Sequence, residues 1–72
     1  MERFFLTKEY TDGTSETAYM TQLEAFQGCS KALTEAVIER KMKGSTTLVR
    51  TYWGVEWKPG DIQILEEHNL SK

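Results

Sequence analysis

Apolar and polar residues alternate over residues 2–10. Phe4, Leu6 and Tyr10 point one way, while Arg3, Phe5, Thr7 and Glu9 point the other, which is the period-two signature of a strand with one buried face. Thr11-Asp12-Gly13-Thr14 follows. Asp-Gly is the strongest short hairpin signal, because tight hairpin turns demand residues that tolerate positive φ. A second strand over about Ser15–Met20 turns Ala18 and Met20 inward and Thr17 and Tyr19 outward. The period then changes. Thr21-Gln22-Leu23-Glu24 spells a capping box, in which the Thr21 hydroxyl accepts from the Glu24 amide and the Glu24 carboxylate reaches back to the Thr21 amide. Behind it Leu23, Phe26, Cys29, Leu33, Ala36 and Val37 fall on one helical stripe, and Gly44 supplies the stop. The spacing predicts a helix over 22–43, about 33 Å long, with that stripe as its core face. Gly28 costs about 1 kcal/mol relative to Ala in a helix. It falls away from the stripe, which favours one continuous helix.

After Gly44 the strand period returns. Thr46–Trp57 is rich in β-branched and aromatic residues. Gly54 reads as a bulge rather than a turn, since Trp-Gly is not a favoured two-residue hairpin turn. A continuous strand places Val49, Trp53, Val55 and Trp57 on one face and Leu48, Arg50, Tyr52 and Glu56 on the other. Lys58-Pro59-Gly60-Asp61 has the composition of a type II turn. Ile62–Leu65 closes a second hairpin over 45–66, leaving 67–72 as a polar tail. The order is β-β-α-β-β. It predicts a single α+β domain over 1–72, a two-layer ββαββ fold with a four-stranded antiparallel sheet and one long helix on one face.

Composition narrows the function classes. A chain of 72 residues with 28% charged and 39% hydrophobic residues builds one small core and has little interior left for a pocket. No apolar run approaches the ~18 residues of a membrane span, and the N-terminus lacks a signal peptide's apolar stretch. With a lone Cys29 and no intrachain disulfide to form, the expected compartment is the cytoplasm. One Cys and one His, His68 in the polar tail, fall short of the four ligands of a structural zinc site, so no metal and no cofactor are expected. There is no Gly-rich phosphate loop, nucleophile elbow or HExxH. Cys29 and His68, the sole thiol–imidazole pair, sit in unlike contexts. The expectation is a protein that is not an enzyme and has no catalytic residue.

The function is then expected on surfaces that the core leaves over. Tyr52, Trp53 and Trp57 lie within six residues of one another, and Trp and Tyr dominate binding hot spots. Ile38 and Met42 stand four apart and off the predicted core stripe. These five are the candidate anchors for a protein partner, docked by burial of apolar surface. A second reading starts from charge. Arg40, Lys41, Lys43 and Arg50 are the only charges between Glu39 and Glu56 in a chain of net charge −2, and a basic patch beside Tyr52 and Trp53 is what nucleic-acid backbone contact with base stacking requires. A third reading is a homodimer that hides the open sheet face.

In layout the chain resembles small proteins that bacteriophages and other mobile elements encode as inhibitors, anti-CRISPR proteins among them. The resemblance covers the whole chain through its architecture and carries no functional residue with it. It implies an inhibitor that occupies a partner's surface, in the host cytoplasm if the chain is phage-encoded.

Overall fold

The computed structural model describes residues 2–70. The elements are β1 (Arg3–Tyr10), β2 (Ser15–Met20), α1 (Gln22–Lys43), β3 (Leu48–Lys58) and β4 (Asp61–Asn69). The strands make one antiparallel sheet in the order β2-β1-β3-β4, with α1 packed on one face. This is the two-layer ββαββ arrangement that the periods predict. The crossover through α1 carries the chain from edge strand β2 to central strand β3.

Local chemistry explains the element ends. At the start of α1 the Glu24 N–H donates to the Thr21 hydroxyl (3.2 Å) and the Thr21 N–H donates to the Glu24 carboxylate (3.1 Å), satisfying two otherwise orphaned donors. At its end Gly44 takes the left-handed conformation (φ 83°) and its N–H closes on the Arg40 carbonyl at 2.8 Å. Pro59-Gly60 joins β3 to β4, with the positive φ at Gly60 (82°) that a type II turn demands. The first hairpin closes differently from the tight Asp-Gly turn expected. Only Gly13 has positive φ. The Gly13 N–H donates to the Tyr10 carbonyl (3.1 Å), the Tyr10 N–H donates to the Thr14 carbonyl (2.9 Å), and the Asp12 carboxylate accepts from the Thr14 amide and hydroxyl. One residue more in the loop spares Asp12 a strained backbone.

The face that α1 buries corrects the predicted stripe. Ala25, Cys29, Ala32 and Ala36 meet the sheet. Gly28 joins them, for a Cβ there would stand 2.7 Å from Leu6 Cδ2. Of the predicted stripe only Cys29 and Ala36 are buried, while Leu23 is 62% exposed and Phe26 and Val37 nearly half exposed. The reason is volume. A face of glycine, alanine and cysteine lets the helix approach closely, and the bulk comes from the sheet, where Leu6 and Trp53 pack on Ala25 and Cys29, and Leu48 on Ala32 and Ala36.

Register shifts correct the third strand. Glu9 pairs with Arg50 but Tyr10 with Leu48, so Val49 is an extra residue and Leu48 turns to the helix side rather than sharing a face with Arg50. The expected bulge at Gly54 is present, but its extra residue is Leu65 on β4, because Trp53 pairs with Glu66 and Gly54 with Ile64. Trp57 is the extra residue of another irregularity next to the turn. β4 itself runs to Asn69 instead of ending at Leu65. The Leu70 N–H also donates to the Val49 carbonyl (2.7 Å). Of the expected polar tail, residues 67–69 are strand, and residues 71–72 lie outside the described residues.

Candidate functional site

The three aromatics that are neighbours in sequence occupy three different environments. Trp53, expected as an exposed anchor, is in the core at 8% exposure. Its ring meets the Phe26 ring edge-on (centroids 6.2 Å, 78°), and its indole N–H donates to Glu66 Oε1 at 3.2 Å. Tyr52 lies on the other face, half-buried, edge-on to Phe5 and beneath the Arg50 guanidinium. Trp57 is half exposed near the turn, its indole N–H donating to Gln63 Oε1 at 3.3 Å. Alternation and the bulge at residue 57 separate them, so they form no single patch.

Ile38 and Met42 are exposed as expected, Met42 at 80%. They wall a shallow groove with Lys8, Tyr10, Glu35 and Leu48. The four basic residues do not converge. Arg40, Lys41 and Lys43 occupy the last turn of α1, where Arg40 donates to the Leu70 carbonyl and Lys43 stands 4.0 Å from Glu39. Arg50 lies on the opposite face of the sheet, held between Glu9 (3.1 Å) and Glu67. Those carboxylates neutralise the guanidinium that a phosphate would need.

A second apolar surface lies where the sequence reading placed core. One α-helix is about 10 Å across and four strands span about 19 Å. α1 sits over β1 and β3, reaches β2, and leaves β4 largely uncovered. Leu23, Phe26, Leu33 and Val37 therefore form an outward flank of the helix above an exposed edge strand, and Leu23 and Phe26 meet Trp53 and Gln22 in a small hollow at one end. The available signal was the spacing of small residues, Ala25, Gly28, Cys29, Ala32 and Ala36, which marks the sheet-facing side and leaves the larger residues outside.

Between this flank and β4 the structure brings together two residues read as unrelated. His68 is not in a tail: it lies in β4, paired with Thr51 of β3, and its Nε2 is 2.6 Å from Glu66 Oε2. Cys29 Sγ, a Glu66 carboxylate oxygen and a His68 ring nitrogen all lie within 4.8 Å of one another. Cys29 is fully buried, and the Thr51 hydroxyl stands 4.0 Å from its sulfur. Burial pushes the Cys29 thiol up, against the smaller opposing effect of the Thr51 hydroxyl. Hydrogen bonds from His68 and from the Trp53 indole hold the Glu66 carboxyl below its ordinary range.

No helix among the described residues is long and apolar enough to cross a membrane. Comparison with protein-family models, curated proteins and solved structures gives no match.

Proposed function

We propose that the chain is a non-catalytic protein-binding domain, and that its docking element is the outward flank of α1 above β4. The occupant is an amphipathic helix of a partner protein, laid beside α1 so that one sheet carries two helices. One observation carries this reading: Leu23, Phe26 and Val37 remain exposed on one side of a helix that seats itself on small residues. Steps of three, seven and four residues along that flank, from Leu23 through Phe26 and Leu33 to Val37, suit helix-to-helix packing. Binding of this kind acts by occupying a surface, the mode of the small phage-encoded inhibitors that the layout resembles.

The test is site-specific photo-crosslinking in the cells that express the protein. A photoreactive residue replaces Phe26 in one variant and Lys31, on the solvent side of α1, in another. The expected result is an adduct at position 26 only, mapping to partner residues spaced three or four apart, and lost on Leu23→Glu with the circular dichroism unchanged. Equal adducts from both positions, none from either, or an adduct between two copies of this chain overturn the assignment.

A further inference from the structure

We propose that Cys29, Glu66 and His68 form a binding site for one zinc-class divalent cation, bridging the underside of α1 to edge strand β4. The proposal does not rest on the docking reading, although the site lies between the same helix flank and β4. It starts from convergence. The chain has one cysteine and one histidine, and the fold brings both, from a helix and from the edge strand, next to a carboxylate with all three donor atoms within 4.8 Å of one another. Ligand atoms around tetrahedral zinc stand about 3.3–3.8 Å apart, given bonds of about 2.0–2.3 Å. The three donors stand within 4.8 Å of one another, so closing on an ion requires them to draw together by about 1 Å. Counting cysteines and histidines excluded a four-ligand structural site. It did not exclude three protein ligands with the fourth position left to solvent or to an outside donor.

The surroundings have the features that hold ligands in place. Glu66 uses one oxygen, Oε1, to accept from the Trp53 indole N–H, which leaves Oε2 on the His68 side. Such an outer partner orients a metal-binding carboxylate. The thiol is closed to solvent, whereas the Glu66 and His68 side chains keep 35% and 29% of their surface open, so the ion enters from the β4 side. A mixed sulfur, nitrogen and oxygen set suits zinc and cobalt(II) and disfavours calcium and magnesium, which take oxygen. Binding is a proton exchange. The Cys29 thiol loses its proton to solvent as the sulfur–metal bond forms, and the hydrogen bond between Glu66 and His68 gives way to two metal bonds. The charged groups around the thiol are Glu66 and His68 from β4, with Lys8 of β1 beside Thr51 on the same side of the sheet.

The experiment titrates the full chain with cobalt(II) alone at mildly alkaline pH, followed by displacement with zinc. The expected result is a one-to-one complex with a thiolate-to-cobalt charge-transfer band and the visible bands of tetrahedral cobalt, bleached by zinc, together with a rise in the unfolding temperature when zinc is present. Cys29→Ser abolishes the charge-transfer band. Because Cys29 is in the core, His68→Ala supplies the variant on the more open strand, and it lowers affinity at least 100-fold. Trp53→Phe keeps the ring but removes the N–H to Glu66, and it weakens binding about 10- to 100-fold. A spectrum without the charge-transfer band, or binding that survives His68→Ala at full strength, overturns the site and reduces it to ordinary surface carboxylate binding.

Discussion

On the helix side of the sheet, Leu6 and Trp53 are buried beneath a second layer of backbone. On the opposite side Phe5 reaches 3% exposure with no second layer above it. Cover there comes from side chains of the sheet itself. Phe5 stands between Tyr19 and Gly54 in the ladders and meets the Tyr52 ring edge-on at 6.1 Å. The Arg3 guanidinium lies 3.7 Å from the Tyr19 ring and pairs with Glu56, while Arg50 lies over Tyr52 and pairs with Glu9 and Glu67. Amphipathic side chains that lay their stems and rings over apolar surface while keeping charge at the water can bury a residue as fully as a helix does. The helix-covered side leaves Leu23, Phe26 and Val37 exposed along the helix flank, because its helix is narrower than its sheet, and the open face leaves Ile62 and Ile64 exposed on β4, beyond the reach of the Arg3 and Arg50 cover.

The contrast can be broken most severely at the strand they share. A Cβ at Gly54 would meet the Gln63 carbonyl oxygen at 2.1 Å and Ile64 Cα at 3.0 Å, and backbone cannot step aside as a side chain can. Gly54→Ala should cost about 5 kcal/mol or more, read by urea unfolding, and should loosen both faces together. An unaffected midpoint would mean that β4 does not approach β3 as described. Next, Leu6→Ala and Phe5→Ala compare the two kinds of cover directly. Leu6→Ala should cost about 2–5 kcal/mol and Phe5→Ala about 3–5 kcal/mol. If Phe5→Ala costs less than about 1 kcal/mol, the open face is wet and its cover is not a core.

The smallest effect is electrostatic and belongs to the open face. The hydrogen bond from Arg3 holds the Glu56 carboxyl below its ordinary range. A lowered carboxyl pKa stabilises the fold above the unfolded value of about 4.3 and ceases to do so as pH falls through the folded value. Unfolding profiles taken through the acidic range should therefore be shallower for Arg3→Met than for the unmodified chain. Identical slopes would show that this pair does not contribute to the cover.

The elements themselves were legible because their causes are local. Thr21 and Glu24 cap a helix through bonds three residues apart, Gly44 and Gly60 provide positive φ where the chain must turn, and strict alternation sorts β1 and β2 into faces. Architecture followed from these pieces, since two hairpins and one amphipathic helix have few ways to bury their faces. The helix rotation did not follow. Ranking residues by hydrophobicity chose Leu23, Phe26 and Val37 as core, but the contact is decided by which volumes fit between helix and sheet, a property of two elements at once.

The same limit explains the remaining surprises. Leu48 changes face through one extra residue, Val49, that only pairing with β1 reveals. Trp53 is sealed because Phe26 and Glu66 come to it from other elements. Glu67 and His68 read as a polar tail until β3 supplies backbone partners for them. By itself the sequence determined the order, kind and ends of most elements, because capping, turn geometry and alternation act within a few residues. Tertiary structure alone decided which helix face is buried, which rings are free, and that Cys29 meets His68, because those outcomes depend on packing between segments distant in the chain.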